Sequence, residues 1–394
     1  MAIARHIQNS LASSSAIRKL FEEGSALKKQ YGADKVFDFS IGNPDVEPPS
    51  AFHEVFLRLA KEDAKGSHGY MPNAGFPDVR EKIARKAGRE HNVDLDGSHV
   101  VMAVGAAGGL NAVFKAILNP GDEVIVPTPY FMEYRSYVSN HNGVLVEVPT
   151  TDDFNLDINA IQAKLTPETA AILINSPHNP TGRIYPEQTI AALATAITNH
   201  GKACGRFPYL VADEPYREIA YNTVVPPVLS AYSESIVVSS YSKSLSLPGE
   251  RIGYIAVSPT ISDKNDVMNA LIYATRILGF VNAPALMQRI VAELAEARVD
   301  VDVYARRRDA FKRTLDDVGL AYAEPEGAFY LFVKAPDKAA GDDVKFSDRL
   351  KKHLILGVPG SSFGKPGWLR FAYCVDEKII RASVGAFKKA METL

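Results

Sequence analysis

The sequence predicts an α/β protein, with a large three-layer α/β/α unit around a mostly parallel sheet and a smaller α+β unit after it. Two observations carry that prediction. From about residue 100 to residue 253, short apolar strands alternate with longer helical stretches. Strands that are apolar on both faces belong to parallel sheets covered on both sides. After about Gly253 the alternation stops and three helical stretches follow one another. A length of 394 residues leaves room for two or three domain-sized units.

Taken in order, residues 100–104 read as a β-branched strand running into Gly105-Ala106-Ala107-Gly108-Gly109. The helix after it carries Leu110, Val113, Phe114, Ile117 and Leu118 on one face. A Pro-Gly turn leads to a strand at 123–126, and further buried strands are expected at 143–148, 170–175, 209–212 and 236–239, with a helix at 186–199. The three later helices span roughly 263–277, 283–297 and 300–318. The tail reads as strand 328–333, helix 347–356, strand 368–373 and helix 377–391. Residues 1–20 are Ser-rich and acid-free, as in a transit peptide. However, Ile17, Leu20 and Leu27, with Phe21 beside them, continue a helical stripe, so an ordered N-terminal arm is the better reading.

Composition narrows the function. There are 44 basic and 46 acidic residues, a net charge of −2, so no nucleic-acid or membrane-surface partner is expected and any anion site must be a local pocket. No apolar run approaches the ~20 residues of a membrane span. Cys204 and Cys374 cannot build a disulfide framework; they fit a reducing, cytoplasmic compartment, and no Cys/His cluster has the spacing of a metal site.

Ligands of open α/β sheets bind at the carboxyl ends of the strands. There the sequence gathers the Gly105–Gly109 turn, Asn179-Pro180-Thr181-Gly182, Asp213-Glu214-Pro215-Tyr216 and Ser240-Tyr241-Ser242-Lys243. Each alone has a plainer explanation: a tight connection, a β-turn, a helix cap, a solvated lysine. Together they place an anion-binding turn, an amide, a carboxylate, a phenol, hydroxyls and an amine on one edge.

At this point a resemblance is specific. The run from Ser240 through Lys243 to Arg251-Ile252-Gly253-Tyr254 resembles the cofactor-lysine signature of the class I/II aminotransferases, pyridoxal-phosphate enzymes of fold type I related to aspartate aminotransferase. Asn179-Pro180-Thr181-Gly182, Asp213-Glu214-Pro215-Tyr216 and Arg370-Phe371 follow the family's order, and the resemblance covers residue 39 to the C-terminus.

The resemblance implies roles. Lys243 would hold pyridoxal 5′-phosphate as a Schiff base, which requires a neutral amine. Asp213 would pair with the pyridine nitrogen, and Tyr216 and Asn179 with the ring's phenolate oxygen. The phosphate would sit on the helix N-terminus after Gly105, on the N–H groups of Ala106 and Ala107, with Ser240, Ser242 and Arg251 as side-chain ligands. Tyr130 would stack on the ring. Arg370, helped by Asn179 and the backbone at Gly42, would bind the substrate α-carboxylate. Tyr70 would reach the neighbouring subunit's phosphate, which implies a homodimer with shared sites. Residues 325–330 would wall the entrance. Arg276 would read a distal carboxylate across that dimer, although an exposed arginine on a helix explains it equally well. The phosphate turn lacks the Ser or Thr many relatives carry there, which removes one hydroxyl contact.

The implied reaction is ping-pong transfer of an amino group between an L-amino acid and a 2-oxo acid, with aspartate- or glutamate-type substrates first and aromatic and alanine-type ones close behind. A carbon–sulfur β-lyase on the same fold would share these motifs. A ligand-sensing regulator is disfavoured because too few residues precede residue 37 for a DNA-binding domain, and an inactive homologue because every cofactor-handling position is filled. The motif positions suggest a large cofactor domain at 45–286 and a discontinuous small domain at 1–44 and 287–394.

Overall fold

The computed structural model describes residues 3–63 and 65–392, without the side chains of residues 6, 9, 10 and 12–21. The expected stripe of Ile17, Leu20 and Phe21 therefore lies outside the described side chains. Helix α1 (Arg5–Tyr31) leads to the short β1 (Phe37–Asp38), α2 (Ser50–Lys61) and α3 (Pro77–His91). The main run is β2 (Val100–Ala103), α4 (Gly105–Ile117), β3 (Glu123–Thr128), α5 (Glu133–Ser139), β4 (Val144–Pro149), α6 (Ile158–Gln162), β5 (Thr169–Asn175), α7 (Glu187–Cys204), β6 (Tyr209–Asp213), β7 (Ser235–Ser240), α8 (Tyr241–Ser244) and β8 (Gly253–Val257). Helices α9 (Lys264–Ile277), α10 (Ala285–Glu293) and α11 (Val301–Asp316) follow. The chain ends with β9 (Tyr330–Lys334), α12 (Asp343–Lys352), β10 (Ile355–Leu356), β11 (Val358–Pro359), β12 (Trp368–Ala372), α13 (Glu377–Ala382) and α14 (Val384–Glu392).

The main sheet has seven strands in the order β2-β8-β7-β6-β5-β3-β4. All run the same way except β8, which is antiparallel to both β2 and β7. Because β8 runs backwards, it starts at the edge where the others end. Gly253 lies opposite Ser240, so Arg251, just before β8, is delivered to the carboxyl edge.

Both faces of the sheet are buried, as its apolar strands require. Along β5, Ile172 and Ile174 join a core with Ile190, Leu193 and Ile197 of α7. Ala171 and Leu173 face the other way, into a core with Leu110, Val113 and Phe114 of α4 and Leu271 of α9. A third core unites β9 and β12 with α11–α14, centred on the rings of Phe39, Phe311, Phe371 and Phe387.

Some expected elements differ. The helix expected at 347–356 ends at Lys352: Leu354 takes a left-handed φ of 61°, and Ile355–Leu356 then pair with β1 as a parallel strand. The helix expected at 377–391 is interrupted at Ser383, whose Oγ donates to Ile380 O at 2.7 Å. The strand at 143–148 was expected to be buried, yet β4 is the sheet edge and Val144 is 48% exposed. Strand β8 was not anticipated.

These placements predict unequal responses to truncation. Leu173→Ala opens a cavity in a fully buried strand and should cost about 2–5 kcal/mol. Val144→Ala on the edge should stay within roughly 0.5 kcal/mol. Denaturant unfolding of the apo-protein measures both.

Candidate active site

The carboxyl edge opens into a cleft of about 490 Å³. Beside Arg251, which lines it, Gly105 opens α4 with φ 67°, and a Cβ there would lie 2.6 Å from Arg251 Nη2, so the turn admits the guanidinium only because the residue is glycine. The N-cap residue of α4, Val104, makes no side-chain cap, and Ala106 and Ala107 of its first turn line the cleft. Free N–H groups at a helix start attract anions. Arg251 is anchored by Nη1, which donates to Pro248 O at 2.7 Å. Ser240 and Ser242 line the same wall from β7 and α8.

Lys243 projects from α8. Its Nζ donates to Gly42 O at 2.7 Å and lies 5.3 Å from the centre of the Phe329 ring. Burial lowers its amine to about 8, with Arg370 and Arg251 pushing the same way. Asp213 ends β6. Tyr134 Oη donates to its Oδ2 at 2.5 Å, while among the described residues Oδ1 is buried with no hydrogen-bond partner. Burial raises this carboxyl to about 7, against the lowering effect of the Tyr134 bond.

Asn175, the last residue of β5, holds two neighbours. Its Nδ2 donates to Asp213 O at 2.7 Å, and its Oδ1 accepts the Asn179 N–H at 2.7 Å. Asn179 Oδ1 in turn accepts Arg370 Nη1 at 3.0 Å, and Arg370 Nη2 donates to Ser40 O at 2.8 Å. Arg370 Nε is buried and unpartnered among the described residues. The guanidinium is held over the rings of Tyr330 and Phe363, 4.7 and 4.8 Å from their centres. Tyr216 Oη and Tyr330 Oη are 2.7 Å apart.

The cleft thus brings together Gly42, Ala106, Ala107, Asn179, Asp213, Tyr216, Ser240, Ser242, Lys243, Arg251 and Arg370, with Gly105 against Arg251. Three expected residues stand apart. Tyr130 does not line it; its hydroxyl donates to Glu147 at 2.6 Å, and the aromatic facing the cleft is its neighbour Phe131. Tyr70 is 95% exposed and outside its own chain's cleft. Arg276 lies over the ring of Tyr273, also outside. Sequence reasoning missed Phe131, Tyr134, Asn175 and Phe363. Only Asn175 left a signal, as a lone amide ending an apolar strand.

Comparison with known proteins agrees with this geometry. The family model "Aminotransferase class I and II" matches residues 34–387. A probable aspartate/prephenate aminotransferase of Aquifex aeolicus is 33% identical over 91% of this chain and 92% of its own. An amino transferase of Eubacterium rectale superposes with a TM-score of 0.95 at 37% identity, covering 100% of this chain and 99% of the other. Thermus thermophilus aspartate aminotransferase with maleate has a TM-score of 0.86 at 29% identity, covering 99% and 100%. The chain belongs to the class I and II aminotransferase family, pyridoxal-phosphate enzymes that pass an amino group between an amino acid and a 2-oxo acid.

Proposed function

We propose that the amino donor and acceptor are dicarboxylic, of the aspartate and glutamate type, and that the cleft residues act in the roles their chemistry suits. The observation that carries the residue roles is that two buried groups with unfilled hydrogen bonds among the described residues, Asp213 Oδ1 and Arg370 Nε, line the cleft that holds Lys243. Buried polar atoms rarely stay unpaired, and these two face a space where ligand atoms would pair them.

Pyridoxal phosphate fits. It supplies an aldehyde that captures a primary amine and a protonated ring that takes up the electrons of a broken Cα–H bond. Asp213 Oδ1 would accept the ring N–H, with Tyr134 keeping the other oxygen occupied. Ala106 and Ala107 N–H, the Ser240 and Ser242 hydroxyls and Arg251 would hold the phosphate. Phe131, in place of Tyr130, would be the aromatic available to the ring. Asn179 Oδ1 is taken by Arg370, which would leave Nδ2 to donate with Tyr216 Oη to the ring oxygen. Arg370 binds the substrate α-carboxylate beside Gly42, and Lys243 Nζ takes the α-proton and returns it.

Among the described residues the cations lining the cleft are Lys243, Arg251 and Arg370, all given to these roles. A cation for a second carboxylate would then come from outside that lining, which supports a homodimer in which Arg276 and Tyr70 serve the partner's site. The names of the relatives support the dicarboxylic reading. The apolar wall of Ile41, Phe131, Met132 and Phe363 favours a second reading, aromatic substrates. We divide the chain into a large domain at 45–286 and a small one at 1–44 and 287–394; the third hydrophobic core supports a separate small unit, although Tyr216, Ile219 and Tyr221 also join it and Met287, Ile290 and Val291 of α10 pack in the first core. Among the described residues no helix is long and apolar enough to cross a membrane; we place the enzyme in the cytoplasm.

The test is a half-reaction panel of single amino acids mixed with holoenzyme, read as conversion of the cofactor absorbance to its amine form. Aspartate and glutamate should convert fastest, and Arg276→Ala should damage aspartate turnover far more than alanine turnover. Faster conversion by phenylalanine or tyrosine selects the aromatic reading. Pyruvate with ammonia as products, in place of a new amino acid, would mark a lyase.

The unpartnered carboxyl makes a second prediction. A carboxyl raised above its unfolded value stabilises the fold only while protonated, so this contribution to apo-protein stability falls as pH rises from about 4 to about 7. Asp213→Asn should remove that slope in a thermal melt, yet weaken cofactor binding roughly 10- to 150-fold through the lost charged hydrogen bond.

Lys243 supplies a third. Only the neutral amine attacks an aldehyde, so the rate at which apo-protein captures pyridoxal phosphate should rise with pH and level off above about 8, not above the 10.5 of a free lysine. Stopped-flow absorbance measures it.

A further inference from the structure

We propose that Tyr330 is a positioning residue that sets the donor strength of Tyr216 toward the cofactor's ring oxygen. The inference rests on the assignment of Tyr216 made above and extends it to a residue that touches no reacting atom.

The geometry leaves Tyr330 little freedom. Its ring is fully buried, with the Arg370 guanidinium 4.7 Å from its centre on one side. Phe329 and Tyr216 pack at 5.0 and 5.6 Å, Tyr216 nearly perpendicular at 80°. Its hydroxyl abuts residue 42 so closely that a Cβ there would sit 2.2 Å from Oη. Among the described residues its hydrogen-bond partner is Tyr216 Oη, 2.7 Å away.

The protons then order themselves. Burial raises both phenols, Tyr330 to about 12, so each keeps its single hydrogen near neutrality. A hydroxyl has one hydrogen and two lone pairs. If Tyr216 donates to the ring oxygen, its hydrogen is spent there, and the contact with Tyr330 survives only if Tyr330 is the donor. Accepting one hydrogen bond makes a hydroxyl a stronger donor in the next. The chain Tyr330→Tyr216→ring oxygen therefore stabilises negative charge on that oxygen. The charged and titratable groups around the pair are Arg370, Asp213, Lys243 and Cys374. Tyr330 opens β9 beside Ala372 of β12, two residues from Arg370. The same ring thus supports the carboxylate-binding arginine and the phenol, linking the two ends of the substrate site.

The test is a pH titration of the cofactor absorbance in holoenzyme. Tyr330→Phe keeps the ring and removes the hydroxyl; it should raise the protonation midpoint by ~0.3–0.6 pH unit, the scale on which one hydrogen bond polarises the next. Tyr216→Phe should raise it further, and the double variant should match Tyr216→Phe alone. A 3-fluorotyrosine at position 330, a stronger donor of nearly unchanged shape, should lower the midpoint, which a purely structural effect would not do. The proposal is overturned if Tyr330→Phe or the fluorinated residue leaves the midpoint unmoved while Tyr216→Phe shifts it. It is overturned equally if the double variant exceeds Tyr216→Phe, because Tyr330 would then act directly. If Tyr216→Phe itself has no effect, the assignment of Tyr216 to the ring oxygen is what fails, and the proposal falls with it.

Discussion

A buried carboxylate oxygen without a donor is the feature on which the rest of the cleft depends. Leaving such a group unsatisfied costs about 1–3 kcal/mol, more when it is charged. Asp213 is held in that state by its neighbours. Tyr134 fixes one oxygen, Asn175 ties the backbone of Asp213 to that of Asn179, and Asn179 fixes Arg370. This chain of bonds keeps the carboxylate and the guanidinium at set positions around Lys243 before any ligand arrives. Preorganised dipoles need no rearrangement at the moment of reaction, the usual source of strong electrostatic catalysis.

Much of this was legible in the sequence because chemistry sits where hydrophobic pattern stops. Asn179, Asp213 and Lys243 follow the ends of apolar strands, and a parallel sheet carries all those ends to one edge. What was not legible depends on distant partners. Tyr130 and Phe131 are adjacent aromatics, and nothing local says which faces the cleft; the choice is made by Glu147 and Arg135, which bind the Tyr130 hydroxyl. Tyr134 meets Asp213 across 79 positions of chain. The reversed direction of β8 was not legible because only its pairing with β2 and β7 reveals it. The break in the final helix turned on one serine whose hydroxyl bonds back to its own turn.

The site joins parts of the chain with separate cores. Lys243, Asp213 and the phosphate turn belong to the main sheet, whereas Arg370 and Tyr330 sit on β12 and β9 of the small sheet. Three of the contacts between them lie at the cleft: Arg370 with Asn179, Tyr330 with Tyr216, and Lys243 with Gly42. Others lie beside it, among them the Ala328 N–H on Ile219 O and the Glu326 N–H on Gly182 O. The groups that would bind substrate thus share in holding the two parts together, and a shift of one part against the other would be felt at the reacting centre.

The reversed strand β8 has a consequence for how the protein is made. Strand β2, which precedes the phosphate turn, has β8 as its neighbour in the sheet, with Ala103 opposite Gly253. During synthesis β2 emerges long before its partner, while β3 through β7 can assemble on one another. The pairing that sets Arg251 against the Gly105 turn must therefore wait for a late, non-local closure, the kind of contact that slows folding and leaves an apolar strand exposed meanwhile. The phosphate-binding part of the cleft would therefore form in a nascent chain only when β8 inserts, as the last strand to complete the main sheet, and the Arg370 side only once β9 and β12 have followed.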